Sequence, residues 1–257
     1  MKFPDFIIIG AMKCATTVLW HNLNKHPEIH MGKNPDDPKI ASTEIRFWNN
    51  GHPHKTWDKG FDWYKGLFEG KIAGEKCANY IESKLAMKRI SEYVPHVKLV
   101  LCIRNPIDRA YSEYNMQKNK KGLKHFDFLV AKQHGYLKRG MYFNQIYENI
   151  LPFFQKDQLY VLIQEAVWNN TNVCMNDLYQ FLGASPFQLD VRKVTSKEAT
   201  DRNLDLEKDK NLKFYKKWKS NYPSMSGSVR TQLENFYREP NKKLFNFLGH
   251  KIKEWYI

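Results

Sequence analysis

The sequence predicts a single α/β domain with a central parallel sheet flanked by helices, and three observations carry that prediction. Short apolar runs alternate with segments of helical period, the pattern of strand–helix–strand units. The strongest run, Val97 to Ile103, is nearly unbroken, as expected of a strand covered on both faces. A length of 257 residues with 42% hydrophobic and 26% charged residues fits one globular domain with a buried core, and excludes a disordered, collagen-like or membrane-bundle chain.

In order, Phe6-Ile7-Ile8-Ile9 is a strand stopped by Gly10, and Thr16 to Lys25 is a helix with Val18, Leu19, Trp20 and Leu23 at helical spacing. Lys71 to Lys76 is a weaker strand. Ser83 caps a helix to Val94, with Leu85, Met87 and Ile90 on its apolar stripe and Pro95 as its stop. After Val97–Ile103, Pro106 at a first helical position opens a helix through about Lys118. A helix from about Phe143 to Phe154 leads into a fourth strand, Leu159 to Ile163, and Thr171 to Leu182 forms a helix closed by Gly183. Residues 184–200 read as a polar connection and the remainder as helices near 201–219, 224–238 and 240–248. Residues 32–43, with Asn34-Pro35-Asp36-Asp37-Pro38, have the length of a lid or binding segment.

Forty-one Lys+Arg against 27 Asp+Glu give a net charge of +14, a field that favours an anionic ligand: nucleotide, nucleic acid, acidic glycan or membrane surface. No window approaches the roughly 18 apolar residues of a membrane helix, and Met1 to Ile9 lacks the length and cleavage site of a signal peptide, so the expected location is cytoplasmic, away from membranes. Cys14, Cys77, Cys102 and Cys174 are far apart with no C-x-x-C, which predicts neither a zinc knuckle nor a disulfide framework. The lysine runs (Lys118, Lys120, Lys121, Lys124; and Lys208 to Lys219) read as solvated helix faces. Phe214, Tyr215 and Trp218 interleave the second run and raise a nucleic-acid surface as a rival, with no recognised motif beside it.

The first strand–helix turn is Gly10-Ala11-Met12-Lys13-Cys14-Ala15-Thr16-Thr17. Backbone N–H groups at a helix N-terminus, a lysine and threonine hydroxyls make a phosphate cradle. The plain alternative is an ordinary connection with a solvated lysine. The loop is not G-x-x-x-x-G-K-[ST], and the apolar strand ends in Arg104-Asn105-Pro106 rather than a metal-binding aspartate, which weighs against a Mg²⁺-dependent nucleotide kinase and for anion binding without metal. Arg104 at a strand's carboxyl end and Ser112 eight residues on suit a second phosphate in the same crevice as Lys13; a structural salt bridge is the competing role for Arg104.

These two segments, F-I-I-I-G-A-M-K-C-A-T-T and C-I-R-N-P-I-D-R-A-Y-S-E-Y, resemble the sulfotransferases that use 3′-phosphoadenosine 5′-phosphosulfate, most closely the heparan-sulfate type and its bacterial relatives. Glu75-Lys76-Cys77-Ala78-Asn79-Tyr80, Arg139-Gly140-Met141-Tyr142-x-x-Gln145 and Arg230 through Asn241 extend the match over nearly the whole chain. The resemblance implies a fold related to nucleotide kinases. It implies that Lys13, Cys14 (through its backbone), Ala15, Thr16 and Thr17 hold the 5′-phosphosulfate, and that Arg104 and Ser112 hold the 3′-phosphate. Ala15 stands where the resembling loop, K-x-G-T-T, has glycine, so the loop is expected to keep φ negative there. The K-G-R loop of many relatives is absent before Tyr222-Pro223, which leaves Lys217 and Lys219 as candidate substitutes and Trp218 as a candidate adenine surface.

Sulfuryl transfer needs a base for the acceptor proton and a cation for the leaving phosphate. Lys13 suits the second task. Thr43-Glu44-Ile45-Arg46-Phe47-Trp48 resembles the segment carrying the base, which implies Glu44; a surface ion pair with Arg46 or Lys39 is the alternative. His52 and His54 are the rival bases. Lys76 is placed near the crevice by the E-K match, against a solvated strand-end lysine. The expected function is sulfuryl transfer, without metal, to a hydroxyl or amine of a small molecule, such as a bacterial secondary metabolite of alkaloid type; an oligosaccharide is the alternative acceptor.

Overall fold

A computed structural model describes residues 1–36, 43–49, 56–121, 126–190 and 224–255. Five parallel strands form the sheet in the order β2-β3-β1-β4-β5: β1 (Phe6–Gly10), β2 (Ile29–Met31), β3 (Ile72–Lys76), β4 (Lys98–Ile103) and β5 (Leu159–Ile163). β1 is central because it is apolar on both faces, with Phe6, Ile7, Ile8 and Ile9 all 0% exposed; burying each such side chain stabilises the fold by about 1.5–3 kcal/mol. β3, with the sequence Ile-Ala-Gly-Glu-Lys, is a poor strand former by composition and is held by its neighbours, pairing Phe6 with Gly74 and Ile8 with Lys76. A Cβ on Gly74 would lie 2.2 Å from the Phe6 ring, so only glycine fits beneath it.

The chain runs from β1 to the β2–β3 side and then crosses to β4, so the strand order reverses at β1. In open parallel sheets ligands bind beyond the strands' carboxyl ends at such a reversal. The helices α1 (Thr16–Leu23), α2 (Gly60–Lys65), α3 (Lys84–Tyr93), α4 (Pro106–Lys121) and α5 (Phe128–Gln133) precede β5 in the chain. Ser83 caps α3 as expected, its Oγ accepting from Ala86 N at 3.1 Å. α6 (Tyr142–Gln145), α7 (Gln164–Asn169), α8 (Thr171–Leu182) and α9 (Gly227–Leu248) are the later helices among the described residues.

Four expectations are corrected. The helix expected over Phe143–Phe154 is the short α6 followed by a π-helical turn, Ile146–Ile150, marked by Leu151 N donating to Ile146 O at 3.0 Å. The two helices expected at 224–238 and 240–248 are one, α9, running through Pro240. A proline removes one ladder bond, and here the buried stripe of Leu233, Tyr237, Leu244 and Phe245 holds the helix on both sides of it. The connection after residue 184 is not uniformly polar, since Leu189 is 6% exposed. Ala15 is left-handed, with φ 57. The expected helix at 201–219 lies outside the described residues.

Candidate donor and acceptor site

The crevice at the carboxyl ends of β1, β3 and β4 receives one functional segment from each. The loop after β1 contains two left-handed residues, Lys13 at φ 69 and Ala15 at φ 57. Ala15 is the N-cap of α1 and has no side chain to cap with. A left-handed residue followed by a helical one makes a concave row of N–H groups, and that anion nest is the physical reason negative φ fails at Ala15. Lys13 reaches across to α4, its Nζ 3.5 Å from Met116 Sδ. Burial, and then the nearby Arg104, hold its ammonium below the ordinary lysine range. Two cations thus converge in the crevice, an arrangement that an anion between them would relieve.

Arg104 follows β4 and is 8% exposed, its guanidinium 6.0 Å from the centre of the Trp168 ring on α7. Ser112, on α4, is 3% exposed, and among the described residues its Oγ has no hydrogen-bond partner. A buried hydroxyl left without a partner costs about 1–3 kcal/mol, and an anionic oxygen at that position would accept from it. The pair fits a phosphate on this observation.

Lys76 closes the third side. Its side chain is 2% exposed, and its Nζ donates to Thr17 Oγ1 at 3.1 Å and to Glu44 Oε1 at 3.2 Å. The solvated strand-end alternative for Lys76 is therefore overturned. Glu44 is not the surface residue of the alternative reading, although its pairing with Arg46 is real. Its Oε2 accepts from Arg46 Nε and Nη2 at 3.1 and 3.0 Å, and Oε1 also accepts from Ala78 N at 3.4 Å. Burial would raise the Glu44 carboxyl, but Lys76 and Arg46 outweigh it and hold the group below the ordinary carboxylate range. Arg46 is itself left-handed, φ 61, next to this pair. Behind the segment, Trp48 N and Nε1 donate to the hydroxyls of Tyr80 and Tyr64 at 3.2 and 2.9 Å.

Cys14 is 1% exposed, and burial pushes its thiol up to about 11, which keeps it protonated. Lys39, His52, His54, Lys217, Trp218 and Lys219 lie outside the described residues. Sequence reasoning gave no role to Arg109, Glu113, Arg139 and Tyr142, which form the frame behind the loop. The fully buried Arg109 donates to Glu113 Oε2 at 2.7 Å and to Met12 O at 3.4 Å, and Arg139 donates to Glu113 Oε1 at 2.6 Å. The Arg109–Glu113 spacing of four residues was the available signal, because such a pair shares a helix face.

Comparison with known proteins identifies the family and the fold. The chain is 30% identical to the human bifunctional heparan sulfate N-deacetylase/N-sulfotransferase 3 over 280 residues, covering 99% of this chain but 31% of that protein; it thus spans about a third of the length of the curated relatives it matches. Among solved structures, a sulfotransferase from Alicyclobacillus acidocaldarius aligns over 100% of both chains at 20% identity with a TM-score of 0.69. A mouse sulfotransferase complexed with PAP aligns at 14% identity and a TM-score of 0.51 over 93% of this chain and 84% of that one. Both show the fold. The profile of the sulfotransferase domain matches residues 3–254, nearly the entire chain, and this protein belongs to the sulfotransferase domain family.

Proposed function

We propose that this protein transfers a sulfuryl group from 3′-phosphoadenosine 5′-phosphosulfate to a hydroxyl or amine of a small-molecule acceptor, with Glu44 as base. The donor supplies the sulfuryl group, which moves to the acceptor as the bond between sulfur and the 5′-phosphate oxygen breaks. The loop from Lys13 to Thr17 holds the 5′ end through backbone N–H groups, hydroxyls and the Lys13 ammonium. Arg104 and Ser112 hold the 3′-phosphate. Glu44 takes the acceptor proton, and Lys76 fixes the base against the loop.

One observation carries the reading: a single buried ammonium, Lys76, donates both to Thr17 of the loop and to Glu44, so donor cradle and base are tied within one hydrogen-bonded unit. A metal enters no step. We place the protein in the cytoplasm, supported by four cysteines that are free thiols; among the described residues no helix is long and apolar enough to cross a membrane. The names of the curated relatives favour a second reading, transfer to the amino group of a glycan. Incubating the protein with isotopically labelled donor and two acceptor pools, a metabolite extract and a de-N-sulfated heparin oligosaccharide, decides between them by mass spectrometry. Label in neither pool, with PAP binding absent, would refute sulfuryl transfer.

A further inference from the structure

The Arg139-Gly140-Met141-Tyr142-x-x-Gln145 segment carries no group that meets donor or acceptor in the proposed reaction, yet two of its side chains, Tyr142 and Gln145, are buried. Tyr142 is 1% exposed and Gln145 is 4% exposed. Gly140 is present because a Cβ there would lie 2.8 Å from the Tyr237 hydroxyl and 2.9 Å from Pro106 Cβ. The segment is thus pressed against the start of α4, and Gln145 Nε2 ties it back on itself by donating to Arg139 O at 2.9 Å.

What this bracket holds is the junction of the two halves of the donor site. The Tyr142 hydroxyl donates to Arg104 O at 2.8 Å and accepts from Arg104 N at 3.3 Å. Its third contact is Cys14 Sγ at 3.5 Å. A phenol has one proton to give and two lone pairs to fill. With the proton spent on Arg104 O, the remaining lone pair is filled by the Cys14 S–H, which is closer to this oxygen than to Met12 O at 3.8 Å. Burial keeps that thiol protonated, its pKa pushed up to about 11, as the contact requires. Every hydrogen-bonding valence of one buried hydroxyl therefore goes to the residue that bears the guanidinium on one side and to the middle of the Lys13–Thr17 loop on the other. The other arm of the bracket runs in parallel: Arg139 to Glu113, Glu113 to Arg109, and Arg109 to Met12 O in the same loop.

We propose that Tyr142 is a positioning residue that couples the 5′ and 3′ halves of the donor site, so that a phosphate seated in one half orders the other. The inference rests on the proposed assignment of the loop to the 5′ end and of Arg104 with Ser112 to the 3′ end. Because both halves share one hydroxyl, the two phosphates bias the same element, which is the condition for a coupling free energy between two sites.

The test needs no acceptor. Calorimetry with adenosine, adenosine 5′-phosphate, adenosine 3′-phosphate and adenosine 3′,5′-bisphosphate gives a cycle in which each phosphate's gain is measured with and without the other. In the unaltered protein the bisphosphate is expected to bind about tenfold tighter than the product of the single gains, within the usual span of such couplings. In Tyr142→Phe, which keeps the ring and loses only the hydroxyl, that factor is expected to fall to about one, while each single-phosphate gain stays within about threefold. Cys14→Ala cuts the loop side of the junction alone, should give the same loss, and serves if Tyr142→Phe does not fold. A purely structural role would lower the melting temperature and leave the coupling intact. Coupling retained in a folded Tyr142→Phe or Cys14→Ala protein, or absent from the unaltered protein, overturns the inference. Failure of the bisphosphate to bind the unaltered protein at all refutes the site assignment instead.

Discussion

Replacing Ala15 with glycine should make the protein more stable, although it removes a methyl group from a helix N-terminus. Ala15 sits at φ 57, ψ 26, where the Cβ of an L-residue crowds the following carbonyl at a cost of about 1–2 kcal/mol. Glycine lifts that cost and adds conformational freedom to the unfolded chain, which returns about 0.4–1 kcal/mol. The difference leaves a net gain of about 0.5–1 kcal/mol. A chain of this size moves by about 2–4 °C per kcal/mol, so Ala15→Gly is expected to raise Tm by about 1–4 °C in thermal unfolding without ligand. Ala15→Val supplies the opposite arm: a β-branched side chain at positive φ is an outlier and should lower Tm by several degrees. Because the loop keeps its shape in Ala15→Gly, affinity for PAP should stay within about threefold by calorimetry. A fall in Tm for the glycine variant, or a valine variant as stable as the unaltered protein, would refute the left-handed conformation and with it the nest drawn from it.

Other outcomes follow from the donor site, the base and the buried core. PAP should raise Tm without added metal, and ADP far less, since a charge-assisted bond to a 3′-phosphate contributes about 1.5–3 kcal/mol; equal shifts in thermal unfolding would contradict the roles of Arg104 and Ser112. Lys13→Ala should cut turnover by about 10²–10³, measured under single-turnover conditions with the acceptor found by mass spectrometry. Glu44→Gln should cut turnover by about 10²–10⁴ with PAP affinity little changed; because Lys76 and Arg46 outweigh burial and hold the Glu44 carboxyl low, the base is charged throughout the neutral range, and Lys76→Met should move the acid limb of the kcat/KM profile upward in pH. Glu75 is 0% exposed, and burial raises its carboxyl to about 8 from an ordinary 4.5. The folded state therefore holds a proton that the unfolded state releases, and stability falls as pH rises between those values; Glu75→Gln should gain Tm over the unaltered protein progressively from pH 5 to pH 8, and a pH-independent difference would show the carboxyl to be ionised.

The sheet was legible where the sequence is locally decisive. Phe6–Ile9, Val97–Ile103 and Leu159–Ile163 are apolar runs whose ends the structure reproduces to within a residue or two. β2, only three residues long, lies below the length at which alternation can be read. Pro240 misled because the rule for proline is local, whereas α9 is held by a stripe of buried side chains on either side of the break. At the site, Lys13, Arg104, Ser112, Glu44 and Lys76 could be named through motif resemblance. No spacing says that Lys76 on β3 reaches both Thr17 and Glu44, because that contact joins segments 59 and 32 residues apart. The conformation of Ala15 escapes the sequence for a related reason: a residue's own preference does not include the demand of a loop that must present its N–H groups inward.

On the proposed assignment of Glu44 as base, a carboxyl held below its ordinary range is ill suited to drawing a proton from a hydroxyl, and the sharing of Lys76 would answer the objection. Its ammonium is divided between Glu44 and Thr17, at 3.2 and 3.1 Å, so on the proposed reading its pull on the base depends on the charge at the loop. As the bond from sulfur to the 5′-phosphate oxygen lengthens, negative charge grows beside Thr17, and the ammonium is drawn toward it. The hold on Glu44 then weakens, and the carboxylate becomes a stronger base at the stage of reaction when the acceptor proton has to leave. Before that stage the ion pair keeps Glu44 charged at a buried position where, alone, it would take up a proton. On that reading the low proton affinity of the resting site and the demand for a competent base would be met in sequence by one lysine, because interactions that strengthen only toward the transition state are the ones that accelerate the chemical step.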